Sequence, residues 1–144
     1  MPYLHTLVLA LHVLFAAAWF GLGLALPALA RSVTSGGDPS SADKTLGAMN
    51  VSAVLFYAFA MANFILGSGL GFQYGWPYHF SLTLGLILVA VQFALIRPGW
   101  ARFAQGGERA ESGRKKMAMG LGIGHLVWLT MYVLMYFGRG AIGA

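Results

Sequence analysis

The stretch ALHVLFAAAWFGLGLALP, which runs from Ala10 to Pro27, decides the fold class. It contains no Asp, Glu, Lys or Arg and approaches the roughly 20 apolar residues that a helix needs to cross a bilayer. One histidine, His12, interrupts it. Because an unsatisfied polar group in hydrocarbon is costly, the imidazole needs a partner on another helix, on the backbone or in a metal. The stretch therefore predicts a membrane-spanning helix with His12 facing the interior of a bundle.

The rest of the chain has the same character. Of its 144 residues, 58% are hydrophobic and 9% are charged, and the mean hydropathy is +0.71. A soluble domain carries roughly 25% charged residues, so the composition predicts an integral membrane protein in contact with the lipid bilayer. We expect one domain over residues 1–144, an all-α four-helix transmembrane bundle. The predicted spans are about 4–29, 49–69, 79–96 and 117–137.

The charged residues predict how the chain is oriented. The segment Arg31–Lys44 is predicted to be a polar, flexible loop, and the second loop, Arg97–Lys116, carries most of the basic residues. Of the Lys and Arg residues, only Arg139 falls on the other side. The positive-inside rule then places the loops in the cytoplasm and both termini on the outer, periplasmic side of a bacterial inner (plasma) membrane. The segment ALPALARS imitates a signal-peptidase site, but no basic residue precedes the long apolar run, so we expect no cleavage.

Composition also argues against several classes of function. The net charge of +5 is explained by the basic loops, and we expect no nucleic-acid binding. All four acidic residues lie in the loops, whereas proton and cation transporters usually carry carboxylates within the membrane. The absence of cysteine removes disulfides, thiolate metal sites, iron–sulfur clusters and covalently attached c-type haem.

Glycine spacing predicts close helix contacts. Gly120 and Gly124 form one G-x-x-x-G pair, and Gly67 and Gly71 form another. These Gly-rich faces predict contacts within the bundle, self-association, or contact with other membrane subunits. The segment GSGLGFQYGWPYH predicts a tight hairpin between the second and third spans.

The histidines are the candidates for binding a cofactor or a metal. His5, His12 and Trp19 recur every seven residues and share one helical face, His79 opens the third span, and His125 lies inside the fourth. Several histidines in a cysteine-free bundle favour a non-covalent haem iron, because facing helices commonly build cofactor sites. The alternative for each is a hydrogen bond to another helix. By helical rise, His12 and His79 share the outer half, while His125 lies nearer the middle.

Three further residues are weaker candidates. Asn63 lies at a depth similar to His12. It is suited to orient an imidazole by bonding to the ring nitrogen that does not bind the metal, and the alternative is a hydrogen bond between helices. Met131 and Met135 are four residues apart and have the soft sulfur that copper or haem accepts, although most methionines in membrane helices serve in packing.

The first span resembles that of a known family. Leu11, His12, Trp19, Gly21, and the pair Leu26–Pro27 follow a pattern close to the first helix of the HemJ-type protoporphyrinogen oxidases and the related CopD-type membrane proteins. The four-helix layout and the segment GWPYHFSLTLGLILV before a basic loop are also similar to that family.

The resemblance implies a haem site. It makes His12 an axial ligand of haem b and matches His79 to the histidine that opens the family's third helix. The HemJ pattern there is H-x-K, whereas this chain has His79, Phe80 and Ser81, so the family's lysine is absent. We therefore do not expect protoporphyrinogen oxidation, and whether the protein is an enzyme stays open. The candidate cofactor-binding residues are His12, His79, His125, Trp19 and Asn63, with His12 and His79 as metal ligands.

Two other functions remain open from the sequence. The first is a non-catalytic accessory subunit of a larger respiratory or photosynthetic membrane complex, which would pack against partner helices, lipids or pigments. The second is copper uptake through histidine and methionine side chains.

Overall fold

The computed structural model describes residues 2–138 and 142–143. Long helices dominate it: α1 (Pro2–Thr34), α2 (Ser40–Gly69), α3 (Trp76–Val91), a π-helical turn (Gln92–Ile96) that leads directly into α4 (Arg97–Gln105), and α5 (Arg109–Phe137). Two short strands, β1 (Gln73–Tyr74) and β2 (Ile142–Gly143), pair antiparallel.

Four helical segments are long and apolar enough to cross a membrane. They are Tyr3–Thr34, Ser40–Gly69, Trp76–Gln105 and Arg109–Phe137, so α3, the π-helical turn and α4 together make the third. The prediction of a helical bundle with four candidate spans is confirmed for the described residues.

The helices extend further at their polar ends than the predicted spans. The prediction of a flexible loop over Arg31–Lys44 is wrong, because α1 continues to Thr34, α2 begins at Ser40, and only residues 35–39 join them. Polar residues can continue a helix beyond the hydrocarbon, since their side chains are solvated there. The chain turns instead at Gly36, whose φ of 89° suits a residue without a side chain.

The second predicted loop is also largely helical. Of the segment Arg97–Lys116, only residues 106–108 lie between α4 and α5. Gly106 and Gly107 have φ values of 70° and 68°, a backbone conformation that favours glycine. Two adjacent glycines therefore make the connection short, and α5 lies directly against α4.

The helices form two hairpins. One consists of α1 and α2, and the other of α3 and α4 with α5; each is closely packed within itself, while the seam between the hairpins is less closely packed. The start of α1, the end of α5 and the α2–α3 connection lie at one end of the bundle, here called the terminal end. The α1–α2 and α4–α5 connections lie at the opposite end, here called the loop end.

The G-x-x-x-G pair of α5 is used inside the bundle. Gly120 and Gly124 are both buried, and a side chain at Gly124 would lie 2.6 Å from the ring of Trp19. Gly122, between them, is exposed and has open space above it. Gly120 and Gly124 thus serve contacts within the chain, and of these three glycines only Gly122 presents a small surface to the outside.

Candidate functional site

The seam between the hairpins opens into a cleft near the terminal end. Its main cavity has a volume of about 130 Å³, and a smaller one of about 60 Å³ continues it and shares His12, Ala60, Leu82 and Met135. We call both together the His12 cleft. All four long helices line the main cavity, with His12 on α1, Phe56 on α2, Ser81 on α3, and Trp128, Met131 and Met135 on α5.

His12 is held in a defined orientation. Its Nδ1 lies 3.0 Å from the backbone carbonyl oxygen of Phe56, and its ring stacks on the Phe56 ring with centroids 5.1 Å apart. Because a carbonyl oxygen only accepts hydrogen bonds, Nδ1 carries the hydrogen, and in the neutral ring Nε2 presents a lone pair. Histidines that bind metals are commonly oriented by the same kind of bond from the other ring nitrogen to a backbone carbonyl.

Two polar atoms in the walls of the His12 cleft have no hydrogen-bond partner among the described residues. Ser81 is only 2% exposed, and neither its Oγ nor the buried Oδ1 of Asn63 makes a hydrogen bond in the described part of the chain. Ser81 lines the main cavity, and Asn63 lines the smaller one. Since buried polar groups are nearly always hydrogen-bonded, two unpaired groups in the two adjoining cavities of one cleft indicate a position for a polar molecule.

The cleft also brings His12 together with both candidate methionines. Met131 and Met135 project from successive turns of α5 into the main cavity. An imidazole and two thioethers therefore line one space, although they belong to different hairpins. The sequence contained these residues but gave no sign that α1 and α5 face each other there.

His79 lies apart from the cleft. It is exposed, its Nε2 donates to the carbonyl oxygen of Tyr74 at 3.1 Å, and its ring contacts Phe64 edge to face. This contact ties the start of α3 to the preceding turn. His79 shares the terminal end with His12, as its depth predicted, but it does not line either cavity of the His12 cleft.

Each ring nitrogen of His125 has a backbone carbonyl within hydrogen-bonding distance. Its Nδ1 lies 2.7 Å from the oxygen of Leu121 on its own helix, and its Nε2 lies 3.2 Å from that of Phe20 on α1. The nearby Trp128 also donates across the seam, to the carbonyl of Ala16 at 2.9 Å. These two side chains join α5 to α1, and neither nitrogen of His125 faces the His12 cleft.

Trp19 belongs to a buried polar chain. It is fully buried, and its Nε1 donates to Oε1 of Gln92 at 2.9 Å, while Nε2 of Gln92 donates to Oδ1 of Asn50 at 2.8 Å. This series of two hydrogen bonds crosses the seam twice and connects α1, the third span and α2. Trp19 therefore joins the two hairpins and does not line the His12 cleft.

The π-helical turn gives Gln92 this position. Pro98 has no amide hydrogen, which interrupts the regular bonding pattern of a helix, and the wider turn ends with the amide of Arg97 bonded to the carbonyl of Gln92. Sequence reasoning overlooked Gln92. The signal was present, because it is the one amide side chain inside the apolar run of the third span, and a polar residue there needs a partner.

We expect Gln92→Leu to destabilise the bundle. The change leaves the buried Nε1 of Trp19 and the Oδ1 of half-buried Asn50 without their partner, at a cost of about 1–2 kcal/mol. Thermal unfolding of the detergent-solubilised protein measures the loss. Gln105→Leu, at the exposed end of α4, is the matched control, and an equal loss in both variants would contradict the role given to Gln92.

The fold and site define a class: a helical bundle with four candidate membrane spans and a histidine-bearing cleft between two hairpins. In the described part of the chain, no group of three or more His, Cys, Asp or Glu side chains is arranged to hold a metal ion. Searches of family models, curated proteins and solved structures found no match to this chain. The resemblance to the HemJ and CopD proteins stays a prediction.

Proposed function

We propose that this protein binds haem b in the His12 cleft, where Nε2 of His12 would bind the iron. One observation carries the proposal. The two positions that the family resemblance singles out, His12 and the site of the missing lysine at Ser81, line the same cavity although they lie on different hairpins. Their convergence supports a shared ligand site.

The donor set of the cleft suits a haem. His12 offers a lone pair on an oriented ring, and Met131 or Met135 offers a thioether of the kind that completes haem coordination in cytochromes. Phe56 and Trp128 supply aromatic surface for a flat ring. When bound, haem supplies one-electron redox chemistry, and the residues of the cleft hold and orient it in an apolar environment.

The size of the cleft sets a condition on this proposal. The main cavity of about 130 Å³ is smaller than the roughly 300 Å³ at which pockets for drug-sized ligands begin. A tetrapyrrole therefore requires the hairpins to separate locally. The cleft lies in the seam, the less closely packed interface of the bundle, so this separation breaks fewer contacts than an opening within either hairpin.

Absorption spectra of the purified protein test the proposal directly. We expect a sharp α-band after dithionite reduction, and elemental analysis should find iron. A protein purified from haem-replete cells without haem would contradict the proposal. Copper in place of iron would favour the copper function, because His12, Met131 and Met135 are also the donors that Cu(I) accepts.

We do not propose protoporphyrinogen oxidation. Ser81 stands where the family has its lysine, and the described spans contain no lysine near the His12 cleft. The gene is therefore expected not to rescue a strain that lacks its protoporphyrinogen oxidase. Rescue would mean that Ser81 or another group replaces the lysine.

A haem-free protein would instead fit an accessory subunit of a larger membrane complex. Gly21 on α1 and Gly122 on α5 are exposed with open space above them, which permits the close approach of a partner helix. Co-purification of a stoichiometric membrane partner with a haem-free chain would favour this function.

We also propose that the loop end faces the cytoplasm of a bacterial inner membrane. All but one of the nine basic residues lie toward that end. A reporter fused at residue 110 is expected to behave as cytoplasmic, and one fused at the C-terminus as periplasmic. The reverse result would move the His12 cleft to the cytoplasmic half of the bilayer.

A further inference from the structure

A second groove lies at the loop end, between α1, α4 and α5. It has a volume of about 180 Å³ and shares no residue with the His12 cleft. Its walls are mainly apolar, and two arginines and a threonine complete them. The apolar lining consists of Pro27, Ala30, Phe103, Met117, Ala118 and Leu121, and the polar lining of Arg31, Thr34 and Arg114.

The lining changes from apolar to basic along the helix axes. Pro27 and Leu121 lie deepest in the bundle, since both are furthest along their helices from the loop end. Arg31 follows Pro27 by one turn of α1, and Arg114 precedes Leu121 by two turns of α5. The groove therefore has an apolar inner part and a cationic mouth.

The described residues do not neutralise the cationic mouth. Arg114 makes a two-pronged contact with Glu111, at 3.0 Å and 2.7 Å, and this is the only ion pair among the described residues. Arg31 is exposed and has no carboxylate partner in that part of the chain. Glu111 therefore offsets the charge of Arg114 only, and the charge of Arg31 leaves the mouth positive.

We propose that this groove binds one anionic glycerophospholipid, with its phosphate at Arg31 and Arg114 and an acyl chain along the apolar wall. Arginine recognises phosphate oxygens through paired N–H donors, and basic pockets between membrane helices bind anionic head groups. A lipid satisfies both parts of the groove, whereas a free phosphate leaves the apolar wall uncovered. The site is independent of the function proposed for the His12 cleft.

Native mass spectrometry of the full chain in detergent micelles tests the site, with dioleoyl phosphatidylglycerol, dioleoyl phosphatidylcholine and inorganic phosphate as probes. We expect one phosphatidylglycerol to be retained in preference to phosphatidylcholine. Arg31→Gln should weaken retention about fivefold and Arg31→Gln with Arg114→Gln roughly 25-fold. Ala118→Trp, which fills the apolar wall and keeps both arginines, should also weaken it at least about fivefold.

Arg102→Gln is the matched control, because Arg102 lies at the same end of the bundle but does not line the groove. It should leave retention unchanged. Equal losses in Arg102→Gln and Arg31→Gln would overturn the site in favour of diffuse charge attraction. Displacement of the lipid by equimolar inorganic phosphate, or full retention in Ala118→Trp, would overturn the assignment to a lipid. Should the double variant fail to fold, Arg31→Gln alone decides, since that side chain is exposed and unpaired.

Discussion

His12→Ala is expected to lower the haem content of the purified protein more than about tenfold. The substitution removes the proposed axial ligand, and even the loss of a group that only orients a metal ligand typically costs 10–100-fold in affinity. The helices should still insert, because insertion depends on the apolar runs. If His12 only bonds to the Phe56 carbonyl, its loss should cost about 0.6 kcal/mol, the average for hydrogen bonds between helices in one membrane protein, and the spectrum should not change.

His79→Ala and His125→Ala serve as the matched controls for the spectrum. His79 is exposed at the start of α3, and both nitrogens of His125 lie within hydrogen-bonding distance of backbone carbonyls outside the His12 cleft. Both variants should keep haem at the wild-type stoichiometry, with His125→Ala losing stability. A His12→Ala protein with its full haem content would defeat the ligand assignment, and a colourless His79→Ala protein would return that residue to the site.

Gly113→Ala is expected to destabilise the bundle by about 3 kcal/mol or more. A methyl group at Gly113 would lie 2.5 Å from the backbone nitrogen of Phe103 and 2.6 Å from the carbonyl oxygen of Gly99. Both neighbours are backbone atoms of α4, so the clash cannot be relieved by a side-chain rotation, and the α4–α5 hairpin must open. Overpacking of a well-filled interior typically costs 1–3 kcal/mol even where side chains can move.

Gly122→Ala, on the same helix, is the control for this prediction. Nothing lies near the position of its added methyl group, and alanine is a better helix former than glycine by up to about 1 kcal/mol. Thermal unfolding in detergent should therefore rank Gly122→Ala at or above the wild type and Gly113→Ala far below it. Equal stabilities for the two variants would show that the close approach of α4 and α5 is not required.

Much of the fold could be predicted from the chain alone. The apolar runs identified four candidate spans, and helical rise placed His12 and Asn63 at a common depth, where both line the His12 cleft. The polar ends were harder to assign, since residues such as Arg31 and Ser32 carry no apolar periodicity yet continue α1 to Thr34. Periodicity reports which residues are excluded from water, and it does not report where a solvated helix ends.

The partners of the buried polar groups were beyond prediction. His12 and Trp19 lie in the first apolar span and His125 lies in the fourth. The residue type of each made it a reasonable candidate for contact with a cofactor. In the bundle Trp19 donates to Gln92, His125 has a backbone carbonyl within hydrogen-bonding distance of each ring nitrogen, one on its own helix and one on α1, and only His12 lines the cleft. These pairings join residues far apart in sequence, so they depend on how the helices rotate about their axes and which hairpin faces which.

The sequence by itself determined that the chain is helical, that four segments suit a bilayer and that charge gathers at one end, because each follows from the free energy of moving local residues between water and hydrocarbon. The tertiary structure decided which polar side chains are satisfied and which remain available. It placed Ser81 and His12 in the walls of one cavity and packed Gly124 of the G-x-x-x-G pair against Trp19 and Gly120 against Ile96 and Leu95. Such choices rest on contacts between helices, where close packing and directional hydrogen bonds distinguish arrangements of similar hydrophobicity.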